Sequence, residues 1–202
     1  MKKMKTVFVI DRENGSVATS VVVNDSRWVV EGEGVATVKM DGTSSMVRNG
    51  KLFKRMDRKL DKAFIAKRKN DPAMVLENDM FKSAPEGWEA CESAPDKSTG
   101  HWPGWVPVLE GDPASRWHLE AFAKADVWED GTYELVGPKV QNNRYDLMEH
   151  RLWRHGSSVV EVGRTFEELK AWLESNKVEG LVFHHPDGRM AKLRRKDFNI
   201  AW

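Results

Sequence analysis

Apolar residues along this chain fall mostly into short, valine-rich runs broken by glycine, asparagine and aspartate. Such runs are the pattern of β-strands. Residues 6–11, TVFVID, read as a strand. SVVVND and RWVVEGEGVATVKM follow as further strand-forming runs, with turns at Asn24-Asp25 and around Gly32 and Gly34. RNGKLFKRM is predicted to be a hairpin, because Asn49-Gly50 readily adopts the positive φ pair of a two-residue turn. Lys39 then lies near the end of one strand, and Lys54 and Arg55 lie on another. GTYELVGPKV, with its Gly-Pro break, and HRLWRHG are strands separated by a QNNRYD turn. EGLVFHHPDGRMAKLRRKDF is a hairpin around Pro186-Asp187-Gly188.

Two segments carry a helical period instead. In TFEELKAWLESN, Thr165 and Glu168 make a capping box, and Phe166, Leu169, Trp172 and Leu173 share one face. In DRKLDKAFIAKRKND, residues 57–71, a narrower stripe runs through Leu60, Ala63 and Phe64 and is ended by Pro72. Residues 82–114 are rich in Pro, Gly and Ser. They are predicted to be a packed surface loop, because Trp88, Trp102 and Trp105 need burial. The predicted fold class is α+β, with antiparallel sheets flanked by a few helices in a single domain spanning 1–202.

Composition narrows the setting. The chain has 202 residues, 40% hydrophobic and 31% charged, as in an ordinary soluble protein. No run approaches the roughly 20 apolar residues that span a bilayer, and the apolar part of MKKMKTVFVID is too short for a secretory leader. The lone Cys91 cannot form an internal disulfide, and a reducing, cytoplasmic setting is expected. Net charge is +1, but it is unevenly spread: nine basic residues stand between Lys51 and Lys69 against two acidic ones, Asp57 and Asp61. KLRRK adds a second basic cluster. Such patches suit phosphate-rich partners; they also suit a merely solvated face.

Lys39, between Val38 and Met40, is out of place on a half-buried strand. It is either a solvated edge lysine or a reactive amine. An amine attacks only when deprotonated, and an ordinary lysine loses its proton near pH ~10.4. Desolvation or neighbouring cations must lower that value, and Lys54, Arg55 and Lys192 are the cations expected to converge. Asp41 is expected on the same strand face as Lys39 if the strand continues. Gly42 is expected to let a ligand approach the backbone. Glu134 lies in a predicted strand, Glu179 heads another, and Lys192 and Arg194 alternate on its partner. An acid facing two cations suits a metal–phosphate site. Against this, Glu134 could pair with Lys139 or Arg144, and Glu179 could be a solvated turn acid. His184 and His185, adjacent on a strand, face opposite sides and do not form a metal pair. His101, His118, His150 and His155 lack zinc-like spacing. Among nine tryptophans, Trp102 and Trp105 are the candidates for base stacking, with core packing as the competing role.

The ordered stretches KMDG, YELVG, EGLVF and KLRR resemble motifs I, III, IV and V of the covalent nucleotidyltransferases, which include polynucleotide ligases and mRNA capping enzymes. KRMDRKLDKAF, TGHWPGWVPV, GPKVQNNRY and KLRRKDFNIAW are similar to compact ATP-dependent RNA ligases that join 5′-phosphate to 3′-hydroxyl ends. The resemblance covers about Val29 to Trp202. It implies a nucleotidyltransferase (ligase adenylation domain) fold without a separate OB domain, acting as a monomer on RNA, with ATP and Mg²⁺ or Mn²⁺. By this resemblance Lys39 attacks the α-phosphorus of ATP and carries AMP. Arg55 contacts the ribose and the transferring end, Glu134 lies near the ribose, and Glu179 positions the metal. Lys192 meets the α-phosphate, and Arg194 stands where many relatives have a second lysine. Asp41 and Gly42 belong to the nucleotide site, and Val182 and Trp153 sandwich the adenine. The implied function is RNA sealing through lysyl-AMP and an adenylylated 5′ end, in RNA repair. The alternatives are a DNA ligase, a capping-type nucleotidyltransferase, or a non-catalytic nucleic-acid-binding module.

Overall fold

The computed structural model describes residues 4–97 and 99–202. In chain order the elements are β1 (Lys5–Thr6), β2 (Phe8–Asp11), β3 (Val17–Val22), α1 (Arg27–Val30), β4 (Val35–Lys39), β5 (Thr43–Arg48), β6 (Lys51–Lys59), α2 (Lys62–Asn70), β7 (Glu89–Ala90), β8 (His101–Pro107), α3 (Arg116–Phe122), β9 (Gly131–Val136), β10 (Arg151–Arg154), β11 (Val159–Val160), α4 (Phe166–Ser175), β12 (Gly180–His184) and β13 (Met190–Arg194). The fold is α+β with antiparallel sheets and few helices, as the apolar pattern predicts. No helix among the described residues is long and apolar enough to cross a membrane. The described residues divide into two compact units: Thr43–Thr132 form one, and residues 4–42 together with Tyr133–Trp202 form the other.

The second unit is built on a five-stranded sheet in the order β1-β13-β12-β4-β11. Strand side chains alternate between faces. One face of this sheet therefore carries Ala36, Leu181, Phe183, Ala191 and Leu193, all at most 1% exposed, into a core shared with Phe8, Trp28 and Val29. α4 closes that core with Leu169 and Leu173. The helix starts where expected: Thr165 accepts from the Glu168 N–H while Glu168 reaches back to the Thr165 N–H, a reciprocal cap. Its other end is closed by Arg195, which donates to the carbonyls of Leu173 and Asn176. The run RWVV departs from the strand reading. Arg27–Val30 is a helical turn following a 3-10 turn at Asn24–Ser26. Burial of Trp28 and Val29, with the Trp28 indole N–H donating to the Asp25 carbonyl at 3.1 Å, overrides the β-preference of two valines.

In the first unit the strands run β5-β6-β8-β7. Asn49 and Gly50 have φ of 52° and 68°, the two-residue turn that their sequence predicts. Two expectations change here. Asp57–Lys59 belong to β6, because they pair with Pro103, Trp102 and His101 of β8; the helix begins only at Lys62, with Asp61 accepting from the Ala63 N–H at 3.2 Å. TGHWPGWVPV is not loop but contributes β8, which makes the longest pairing in the unit. Its tryptophans are packed. Trp105 is buried, and Trp102 contacts Phe81 and Trp88 edge-on. The buried Arg58 guanidinium lies over the rings of Trp88, Trp102 and Phe81 at 5.1, 5.6 and 5.7 Å, and donates to Lys82 and Asn78.

Two consequences for stability can be measured. Leu169→Ala should cost about 2–5 kcal/mol, read as a fall in the urea unfolding free energy. His118 in α3 is buried, and its Nε2 has no hydrogen-bond partner among the described residues. Burial first, and the Lys54 charge second, push its pKa from 6.5 down to about 4. The unfolded chain then takes up the proton before the folded one. Stability contributed by neutral His118 is complete above pH 6.5 and is lost as pH falls towards 4. The urea midpoint should drop across that window, and His118→Leu should flatten the drop.

Candidate active site

Strand register brings four of the predicted residues onto the face of the second unit's sheet that points away from α4. Lys39, the last residue of β4, pairs with Gly180, and Gly180 pairs with Arg194. One step along, Val182 lies between Thr37 and Lys192. Lys39, Val182, Lys192 and Arg194 thus share one side. The Lys39 ammonium forms an ion pair with Glu179, and the two side chains are 21% and 19% exposed. The amine is therefore held by a carboxylate as well as lying near cations. Lys192 does carry a depressed pKa, caused first by burial and then by the charges of Arg194 and Lys39. Lys54, in the first unit, donates to Asp112 at 2.7 Å and to Ser115 at 3.0 Å. Arg194 spends its fork on buried Asp197, with bonds of 2.8 and 3.1 Å.

β4 stops at Lys39, so Asp41 does not share a strand face with it. Asp41 sits in the following turn, where its carboxylate meets Arg144 at 2.9 Å and its N–H donates to the Tyr145 hydroxyl at 2.6 Å. Burial is the main cause that pushes Tyr145 up to about 12. Arg144 and Tyr145 follow an unusual turn: Gln141, Asn142 and Asn143 all have left-handed φ, of 45°, 57° and 49°. Trp202 meets Tyr145 edge-on at 5.5 Å and stacks with the Arg144 guanidinium at 4.5 Å. A cavity of about 350 Å³ opens here, lined by Asp41, Gln141, Arg144, Glu179, Lys196 and Trp202 among others. A larger one of about 800 Å³ is lined in part by Lys5, Arg12, Lys192, Arg194 and Lys196.

The β9–β10 pairing sets Glu134 opposite Trp153. Glu134 is buried, and its Oε2 lies 2.7 Å from His155 Nε2 rather than pairing with Lys139 or Arg144. His155 also helps burial to lower the pKa of His184, whose Nε2 lies 3.0 Å from Thr37 Oγ1. His185 instead meets Glu33, as expected for neighbours on opposite strand faces. The Trp153 indole N–H donates to Ser158 Oγ at 3.1 Å. Arg55 lies on β6 of the first unit, donating to Asp57 at 2.5 Å with its guanidinium 5.7 Å from the Trp105 ring. Among the described residues no group of three or more His, Cys, Asp or Glu could hold a metal alone. A hard divalent ion at Glu179 would need oxygens from a phosphate ligand to complete its shell, which is how magnesium is commonly held.

No family model matches the chain. It is 28% identical to RNA ligase 1 of Pongo abelii over 224 aligned positions, covering 83% of this chain and 68% of that protein. RNA ligase 1 of Mus musculus is also 28% identical, and that of Danio rerio 29%, with the same coverage of both chains. The chain is thus similar to the RNA ligase 1 proteins over most of its length. Three side chains near the expected site residues carry no signal in the sequence: Arg144, Tyr145 and His155. Two of them were hidden in a segment read only as a turn. His155 follows directly after the β10 residue that pairs with Tyr133, so the antiparallel register was its only signal.

Gly42 is packed closely by its own chain. A Cβ there would overlap the Leu135 carbonyl oxygen and lie 2.9 Å from Glu134 Cγ. The close approach at this glycine is made by β9. Gly42→Ala should therefore overpack the turn behind Lys39 and cost about 1–3 kcal/mol, read as a lower urea midpoint. An unchanged midpoint would show that the turn can yield.

Proposed function

We propose that this chain is an ATP-dependent RNA ligase that seals 5′-phosphate to 3′-hydroxyl ends through a lysyl-AMP intermediate, in RNA repair. On this reading residues 1–202 are one nucleotidyltransferase domain, working as a monomer in the cytoplasm. The observation that carries it is the Lys39–Glu179 pair on a sheet face shared with Lys192 and Arg194, in a relative of proteins named RNA ligase 1.

In this mechanism the adenine packs against Val182, with Trp153 on its other side. Glu134, held by His155, meets the ribose. Lys39 leaves Glu179, loses a proton to solvent water, and attacks the α-phosphorus through its neutral amine. The N–P bond forms as the bond to the β-phosphate oxygen breaks, and pyrophosphate departs with the electron pair. Lys192 faces the α-phosphate, where charge builds on non-bridging oxygens; Arg194, anchored by Asp197, adds a second fixed cation. The 5′-phosphate of the RNA then displaces Lys39 from AMP, and a 3′-hydroxyl oxygen displaces AMP to form the phosphodiester. Glu179 would hold magnesium or manganese, which would supply charge neutralisation.

The test is intact-protein mass spectrometry after incubation with ATP. Wild type should gain one adenylate and Lys39→Ala none. An adduct persisting in the variant would overturn the site, and labelling by GTP instead of ATP would favour the capping-type alternative.

A further inference from the structure

The first unit carries a helix whose sequence its own packing does not explain. α2 has no buried residue, and Ile65 is 54% exposed. A nine-residue helix is marginal without burial of an apolar face. Between its caps, however, α2 holds Lys62, Lys67, Arg68 and Lys69 and no carboxylate. The acids at its two ends are used locally: Asp61 and Asp71 accept from the N–H groups of Ala63 and Ala73 at 3.2 and 3.1 Å.

Beside the helix lies a groove of about 400 Å³ with no Asp or Glu in its lining. Its floor is apolar, from Leu60, Ile65 and Pro72, and its rim carries Lys59, Arg68 and Lys69. Arg68 is held in place: it donates to the Lys97 carbonyl at 2.5 Å, and its guanidinium fills the space that a side chain at Gly100 would need. Lys59, Lys62 and Lys69 are exposed and form no ion pair with any described residue. The groove's own lining therefore carries cations and no carboxylate, and an anionic partner would offset their mutual repulsion.

We infer that this groove binds the sugar–phosphate backbone of the RNA strand, with phosphates at Lys59 and Lys69 and riboses over the apolar floor. This rests on the ligase reading for the choice of RNA as the polyanion. The contact is independent of base sequence, since cations meet phosphates and no aromatic ring lines the groove for stacking apart from His101.

The test measures binding of a fluorescent single-stranded oligoribonucleotide to the whole protein at several salt concentrations, with adenylylation of Lys39 followed by mass in the same preparations. K59A/K69A should weaken binding about tenfold at about 0.1 M salt and make the slope of log Kd against log salt shallower by about 1.4, that is ~0.7 per lost phosphate contact. K59R/K69R should bind as wild type, and adenylylation should be the same in all three proteins. Unchanged affinity and slope in K59A/K69A would overturn the groove, and so would equal weakening by K59R/K69R. Loss of affinity in K59A/K69A from a wild type that never takes up AMP would keep the groove and remove the ligase reading.

Discussion

The second unit depends on strand parity. Its central sheet sends alternate residues of β4, β12 and β13 to opposite sides, and one side must be apolar because α4 covers it. That requirement leaves Thr37, Lys39, Val182, Lys192 and Arg194 together on the other. A slip of one residue in β13 would drive Lys192 and Arg194 into the core and bring Leu193 out to water. The hydrophobic contacts that stabilise the unit are thus the same contacts that aim its charged side chains. In the stretch KLRR the division is complete: Leu193 and Arg195 face inward, where Arg195 caps α4, while Lys192 and Arg194 face the candidate site.

Charge on that face is balanced locally. Lys39 has Glu179 and Arg194 has Asp197, and in the turn beside the face Asp41 has Arg144. Lys192 makes no such pair: burial, Arg194 and Lys39 disfavour its charged form, outweighing the support of Asp197 and Glu179. An anion arriving next to Lys192 would add to that support without breaking an existing pair.

Much of this was legible in the sequence for a simple reason. Lys39, Glu179, Lys192 and Arg194 lie in strands or at their ends, where alternation fixes direction, and Asn49-Gly50 and the Thr165/Glu168 cap are local signals that need no tertiary information. The failures share a cause too. RWVV became a helical turn because Trp28 found a core. HWPGWVP became a strand despite Gly and Pro, because Gly104 leaves room for the Trp88 indole and the Trp105 side chain is buried. Asp57–Lys59 followed the ladder with β8 rather than the helical stripe. In each case a long-range partner outweighed local preference. Arg144, Tyr145 and His155 were hidden because polar residues in turns reveal neither their direction nor their partners.

The three left-handed residues at Gln141–Asn143 wind the chain opposite to every helix in the molecule. For residues with a Cβ this handedness carries a penalty of about 1–2 kcal/mol each, eased where asparagine can bond locally. The same short segment delivers Arg144 and Tyr145 to the turn after Lys39, so the placement of Asp41 beside the candidate nucleophile draws on a backbone conformation that few residue types tolerate.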